Sequence, residues 1–178
     1  MKKLFAVYLG GYTPNCNVEV HDMVFVVGET IEETFPDLVQ KWFIKSYDNF
    51  HYDGYMDLSI VDDHRVSLSR EPSSSDLKLF YIHLGGYDPH EFTEFHKNCF
   101  LVAPDIATAK SRARKSWGEV KVPHKDVQFD IESCLQLEEV DKYYIHLQPT
   151  QEQPNHDFHL GYNVLPQNII HSAKLPSI

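Results

Sequence analysis

Ten polar side chains carry the chemistry this sequence has to offer: Glu19, His21, His51, Asp53 and Asp57, and then Glu94, His96, His124, Asp126 and Asp130. Imidazole nitrogens and carboxylate oxygens are the donor set that zinc, manganese or iron requires, and the same pairing serves acid/base catalysis. Glu19-x-His21 has the spacing of a strand face, where residues two apart point the same way. A divalent metal here is conceivable but not expected. His21 shares its face with Phe25 and Val27, and an imidazole bonded to a carboxylate at the edge of a core is satisfied without an ion.

Other chemistries are weaker. Cys99 lies three residues from His96, but Val24 stands at the matching place after His21, and no strand-turn-helix serine elbow occurs. Gly10-Gly11 and Gly85-Gly86 lack the spacing of a phosphate loop and read as turn glycines with positive φ. Lys110, Arg112, Arg114 and Lys115 make one helix locally basic, which reads as an exposed face.

The elements that must position these residues come in a repeat. Leu4-Phe-Ala-Val-Tyr-Leu-Gly-Gly-Tyr-Thr-Pro14 returns as Leu79-Phe-Tyr-Ile-His-Leu-Gly-Gly-Tyr-Asp-Pro89. At that shift of 75, 13 of the 39 positions from Leu4 to Trp42 are identical, Glu19/Glu94, His21/His96 and Trp42/Trp117 among them. Beyond the tryptophans a shift of 73 pairs His51/His124, Asp53/Asp126 and Asp57/Asp130, as though a loop had lost two residues. Leu4 to Leu9 reads as a central strand and Glu19 to Val27 as a second. A helix follows, with Thr30 as N-cap, Glu33 as its capping-box partner and a stripe of Ile31, Phe35, Leu38 and Trp42. Pro36 kinks it or splits off its first turn. In the second copy Asp105 caps and Ile106, Ala109, Ala113 and Trp117 form the stripe. Tyr55 to Val61 and Arg65 to Ser69 complete the unit, turning at Asp62-Asp63-His64.

The fold expected is therefore α+β: a tandem duplication of a β-β-α-β-β unit, mostly antiparallel, with one helix per unit and a pseudo-twofold relation. The units are 1–72 and 76–148, joined by Glu71-Pro-Ser-Ser-Ser-Asp76, with 149–178 as an extension adding one strand, Phe158 to Leu165. Val140-Asp141 matches Val61-Asp62, which makes Tyr143 to Leu147 the last strand of copy two. The likeness of Tyr144-Ile-His-Leu147 to Tyr81-Ile-His-Leu84 leaves open a truncated third copy, the less favoured choice.

The bulk numbers exclude some functions. With 26 acidic against 16 basic side chains, net charge −10, the chain is a poor partner for nucleic acid or an anionic membrane, and neither half is basic. Cys16, Cys99 and Cys134 are odd in number and widely spaced, which points to buried thiols and a cytoplasmic location. No apolar run approaches the length of a membrane span.

With the Gly-Gly-Tyr turn, Glu19-x-His21-Asp22, Lys41-Trp42-Phe43, His51-x-Asp53 and Val61-Asp62 in hand, the chain resembles the bacterial family called domain of unknown function 1543. The resemblance implies one or two copies of the unit and brings no activity or catalytic residue with it. Copy two departs at Lys97, where copy one has Asp22. The expectation is a cytoplasmic module binding a small molecule or protein, or serving a structural role, with homodimerisation open. The alternative is a metal-dependent or acid/base enzyme using the His/Asp/Glu cluster.

Overall fold

Leu4 to Leu9 is apolar on both faces, and the strand it forms, β1 (Lys3–Gly11), lies inside a sheet rather than at its edge. The computed structural model describes residues 1–44, 46–47, 49–87, 90, 92–118, 130–153 and 158–173. Contacts divide the chain into two units. The first holds Met1–Ile60, Val140–Tyr143 and the stretch from Gln153, and the second holds Val61–Glu139 and Tyr144–Glu152.

In the first unit β1 is flanked by β2 (Val20–Gly28) and β3 (His51–Asp57), and β11 (His159–Val164) closes the outer side of β3, giving the order β11-β3-β1-β2 with antiparallel pairs. A single 3-10 turn, Glu32–Thr34, precedes α1 (Phe35–Lys41), which has Pro36 in its first turn. The proline splits off the first turn as expected, since a ring at that place removes no helical hydrogen bond. Glu33 reaches back to the N–H of Glu29 at 2.9 Å, one residue earlier than a capping box on Thr30 requires. Phe5, Val7 and Leu9 of β1, Leu38 and Trp42 of the helix region, and Leu165 and Ile170 from the far end of the chain make one core. Each large side chain sealed there stabilises by roughly 1.5–3 kcal/mol. A helix not foreseen, α3 (Gln167–Ala173), supplies Ile170 and lies against α1.

The second unit holds β6 (Lys78–Gly86) between β7 (Phe95–Ala103) and β8 (Asp130–Leu137), with α2 (Ile106–Gly118) packed on them. Asp105 caps α2, accepting from the Thr108 N–H at 2.7 Å, and that hydrogen bond holds its carboxyl below the usual range. Ala109 and Ala113 are sealed as expected, but Ile106 is exposed, because it stands on the first turn where the sheet does not reach. The reading of Trp117 as a core anchor falls on a side chain outside the described residues. Short β4 (Ile60–Val61) and β9 (Glu139–Val140) lead through tight turns into β5 (His64–Ser69) and β10 (Tyr143–Pro149), and β5 and β10 pair antiparallel. Both turns hold two residues at positive φ, Asp62 and Asp63 in one and Asp141 and Lys142 in the other.

Three sequence expectations change. The third strand starts at His51 rather than Tyr55, so it includes His51-x-Asp53. Gly10, Gly11, Gly85 and Gly86 do not turn the chain; they end β1 and β6 in strand conformation, and among the described glycines only Gly161 has positive φ. Cys16 is exposed, not buried, because it lies in the turn that leaves β1, with its N–H on the Thr13 carbonyl at 3.0 Å.

The registers also differ in part from the shifts expected of a repeat. β1 on β2 and β6 on β7 pair identically at a shift of 75, from Lys3↔Gly28 and Lys78↔Ala103 to Gly11↔Val20 and Gly86↔Phe95. On the other side Gly10 faces His51 and Gly85 faces Asp130, a shift of 130 − 51 = 79 instead of 73. The connection after the tryptophan is four residues longer in the second unit, since 130 − 117 = 13 against 51 − 42 = 9. His51, Asp53 and Asp57 thus correspond to Asp130, Glu132 and Gln136.

Candidate metal centre

In the first unit the sheet brings four of the five expected side chains to one point. Glu19 immediately precedes β2 and His21 lies at its start, while His51 and Asp53 come from the start of β3, with β1 between them. His21 Nε2 stands 3.0 Å from Asp53 Oδ2 and 3.6 Å from Glu19 Oε2; His51 Nε2 stands 3.2 Å from Asp53 Oδ1 and 3.5 Å from Glu19 Oε1. Asp57 does not join them. It lies at the far end of β3, where it pairs with Lys3 at 2.7 Å and caps the turn at Ser59, because the strand carries it six residues, about 20 Å, from His51.

Gly10 makes the convergence sterically admissible. A Cβ at that position would fall 2.7 Å from His51 Nε2 and 3.2 Å from the His21 ring, so only a bare backbone leaves room for both imidazoles. Gly11 does the same for Trp42, whose ring would come within 3.0 Å of an added Cβ.

The hydrogen-bond inventory at His51 is unusual. The ring is fully buried, and its Nδ1 donates to the Asn49 carbonyl, an acceptor that fixes the proton on that nitrogen. Nε2 then faces two carboxylates, and in the neutral ring it would turn a lone pair toward these acceptors. Both Nε2 and Glu19 Oε1 are sealed from solvent without a hydrogen bond. Tyr162 of β11 lies over the His51 ring at 4.0 Å between centroids, and Tyr8 stacks flat on His21 at 5.0 Å. Burial chiefly, and the nearby Asp53 and Asp22 carboxylates next, raise the Tyr8 phenol above its ordinary value and keep it neutral.

The second unit gathers a related set. His96 Nε2 lies 3.2 Å from Glu132 Oε2 and 3.8 Å from Glu94 Oε2, and His83 Nε2 lies 3.3 Å from Glu132 Oε2. Ligand atoms of His83, His96 and Glu132 all fall within 4.8 Å of one another. Expected residues Glu94 and His96 are therefore brought together, His124 and Asp126 lie outside the described residues, and Asp130 is fixed only as the strand partner of Gly85. His83 and Glu132 were not foreseen. The signal that finds Glu132 is the match of Val61-Asp62 with Val140-Asp141, which already carries the shift of 79 and, followed back along the chain, sets Glu132 opposite Asp53.

Comparison with known proteins bears on the whole chain. A crystal structure of a protein Il1583 from Idiomarina loihiensis is similar at 30% identity, covering 94% of this chain and 99% of that one, with a TM-score of 0.72. Residues 16–68 match the family model described as Domain of Unknown Function (DUF1543). The chain belongs to the DUF1543 family. The matched segment of this DUF1543 protein contains Glu19, His21, His51 and Asp53. No curated protein matches. Among the described residues no helix is long and apolar enough to cross a membrane.

Proposed function

We propose that this DUF1543 protein is a binding module whose first unit holds a divalent transition-metal ion of the zinc class between Glu19, His21, His51 and Asp53. The observation that carries the reading is the buried His51 Nε2, which makes no hydrogen bond and faces two carboxylates. Leaving a buried lone pair and a buried carboxylate oxygen facing one another costs about 1–3 kcal/mol or more, and a cation removes the conflict at both atoms.

The nitrogen-to-oxygen separations are compatible with an ion as well as with direct pairing, since ordinary N–H to oxygen bonds reach about 3.2 Å. Charge-assisted N–H to carboxylate bonds run about 2.7–2.9 Å. Two ligands held about 2.05 Å from a tetrahedral centre stand about 3.3 Å apart. The four nitrogen-to-oxygen separations here run from 3.0 to 3.6 Å. The Asn49 carbonyl behind His51 is the outer partner that orients metal-binding imidazoles. The rival reading, a protonated His51 paired with its carboxylates, requires no ligand and is the one to defeat.

Cobalt titration of chelator-stripped protein tests this. Visible ligand-field absorption should grow to a saturating equivalent on the first unit and vanish in Glu19→Gln and in His21→Ala. Spectra and affinity unchanged by both substitutions would remove the reading.

We further read the two units as tandem copies. Identical registers of β1 on β2 and β6 on β7 support this, and so do the matched aspartates of the two turns. Asp62 accepts from the N–H of Val102 and Asp141 accepts from that of Val27, the same strand position at a shift of 75. Three free cysteines support a cytoplasmic location.

A further inference from the structure

We infer that the second unit carries its own metal site, built by His83, His96 and Glu132 with Glu94 at its margin, whose second imidazole comes from a different strand than in the first unit. This extends the reading above to a separate set of residues, and it shares with that reading only the class of ligand.

Register equivalence makes the exchange visible. Position by position, Glu19 corresponds to Glu94, His21 to His96 and Asp53 to Glu132. His51, the imidazole that β3 gives the first unit, corresponds to Asp130, so β8 supplies none at that place. The loss is offset on the middle strand, where Tyr8 of the first unit is replaced by His83. Among the described side chains each unit therefore presents two imidazoles and two carboxylates at one end of its sheet, although the histidines are not at the same two positions. A core that merely needed satisfied polar groups places no demand on that total.

The surroundings of His83 are those of a ligand and not of a filler. Asn98 Oδ1 lies 2.7 Å from His83 Nδ1 and accepts its proton, while the Tyr81 hydroxyl donates to the same oxygen at 2.8 Å. That arrangement fixes the ring with its lone pair on Nε2, which faces Glu132 and the neighbouring His96. His83 and His96 stack at 4.8 Å between centroids and 10° between planes, so both Nε2 atoms reach the same carboxylate oxygen. Tyr8 stacks on His21 in the same way, with a ring that keeps the packing and cannot ligate through a nitrogen. Gly85 again clears the ground, since a Cβ there would fall 2.7 Å from carboxylate oxygens of both Glu132 and Glu94.

The two sites differ in access. In the first, β11 runs beside β3 and Tyr162 covers the buried His51. In the second, β8 is the last strand of its sheet among the described residues, and His96 and Glu132 are each 39% exposed. Two imidazoles and one carboxylate are the protein ligands of an open zinc site, in which a water completes the shell. The second site thus exchanges its ion with solvent faster and leaves a coordination position for a small anionic or carbonyl ligand.

The test uses the intact chain, stripped of metal and titrated with cobalt and then zinc. His83→Tyr places at this position the residue that the first unit carries, and it should fold. The native protein should take two equivalents, the weaker one released first to a competing chelator. His83→Tyr and Glu132→Gln should each lose that weaker equivalent and keep the tighter one, whereas Glu19→Gln should do the reverse. Two equivalents retained in His83→Tyr, or a single equivalent that only Glu19→Gln abolishes, would overturn this inference and leave the first site standing. An equivalent lost only in His83→Tyr would uphold it and defeat the reading of the first unit. No uptake by the native protein would end both.

Discussion

Arg112 grips Asp62 through both of its terminal nitrogens, Nη1 to Oδ2 at 2.6 Å and Nη2 to Oδ1 at 2.8 Å. The same carboxylate accepts the Val102 N–H at 2.9 Å, so the turn between β4 and β5 is tied to α2 and β7 by one side chain. Its counterpart Asp141 holds the Val27 N–H at 2.8 Å and the Lys41 ammonium at 2.6 Å. The basic face of α2 is therefore not only a solvated surface, since Arg112 is an anchor.

Acid should loosen this anchor. Burial alone would raise the Asp62 carboxyl, but the Arg112 hydrogen bonds, the Val102 N–H and the guanidinium charge outweigh it, and its pKa lies below the ordinary 3.8. A carboxyl whose pKa falls on folding contributes its stability above the unfolded value and loses it as the pH drops through the folded one, here below about pH 4. Asp62→Asn should cost about 1 kcal/mol at pH 7, after discounting for solvent screening, and should flatten the acid limb of the urea midpoint against pH. Equal midpoints for the two proteins at pH 7 would dispose of the claim.

Gly10 and Gly85 should respond differently to one added methyl. In Gly10→Ala the new carbon meets the ring of His51, which is sealed in the core and has nowhere to retreat, so the cost should be about 1–3 kcal/mol and the zinc-induced rise in Tm should disappear. In Gly85→Ala the atoms met are the ends of two partly exposed carboxylate side chains, which can swing aside. Chemical denaturation should then separate the two variants by about 1 kcal/mol or more. Indistinguishable midpoints would show that the His51 ring is not held where it stands.

Trp42 closes the core of the first unit with 1% of its surface exposed, against Phe50 and with its Nε1 donating to the Ser46 carbonyl at 3.1 Å. Trp42→Ala should cost about 3–5 kcal/mol, and Trp42→Phe should recover part of it while leaving the Ser46 carbonyl without its donor. A loss under 1 kcal/mol in the alanine variant would mean that the unit does not depend on this anchor.

Thiol reactivity should rank by position. Cys16 is exposed on its turn, whereas burial raises the Cys99 and Cys134 thiols on β7 and β8. A disulfide reagent should titrate Cys16 at once in the native protein and Cys99 only after unfolding. Cys99 reacting as fast as Cys16 would contradict the packing of β7 against its sheet.

The sequence made the strands of the repeat legible because period-two apolarity and the Leu-Phe-x-x-x-Leu-Gly-Gly core are local signals, and β1, β2, β6 and β7 fall where those signals put them. Pro36 and Asp105 likewise act through neighbours a few residues away, so the split first turn of α1 and the cap of α2 could be anticipated. What escaped depends on partners distant in the chain. Asp57 enters the expected cluster through its match with Asp130 at a shift of 73, yet a strand separates residues six apart instead of gathering them. His83 gave no sign of its role, since only the pairing of β6 with both β7 and β8 sets it beside His96 and Glu132. The glycine pairs suggested a turn, and their real task, leaving space for rings and carboxylates on flanking strands, exists only once the sheet is assembled.

The outer neighbour of β3 is β11, and Leu165 and Ile170 are sealed in the same core as Phe5 and Leu9. A ribosome delivers residues in order, so the hydrogen-bonding edge of β3 stays open until more than a hundred further residues have emerged. The sheet that holds β3 is thus finished only after β11 has been made. Until then its row of bare amides and carbonyls is the part of the nascent chain most exposed to mispairing, and the one a chaperone has most reason to shield.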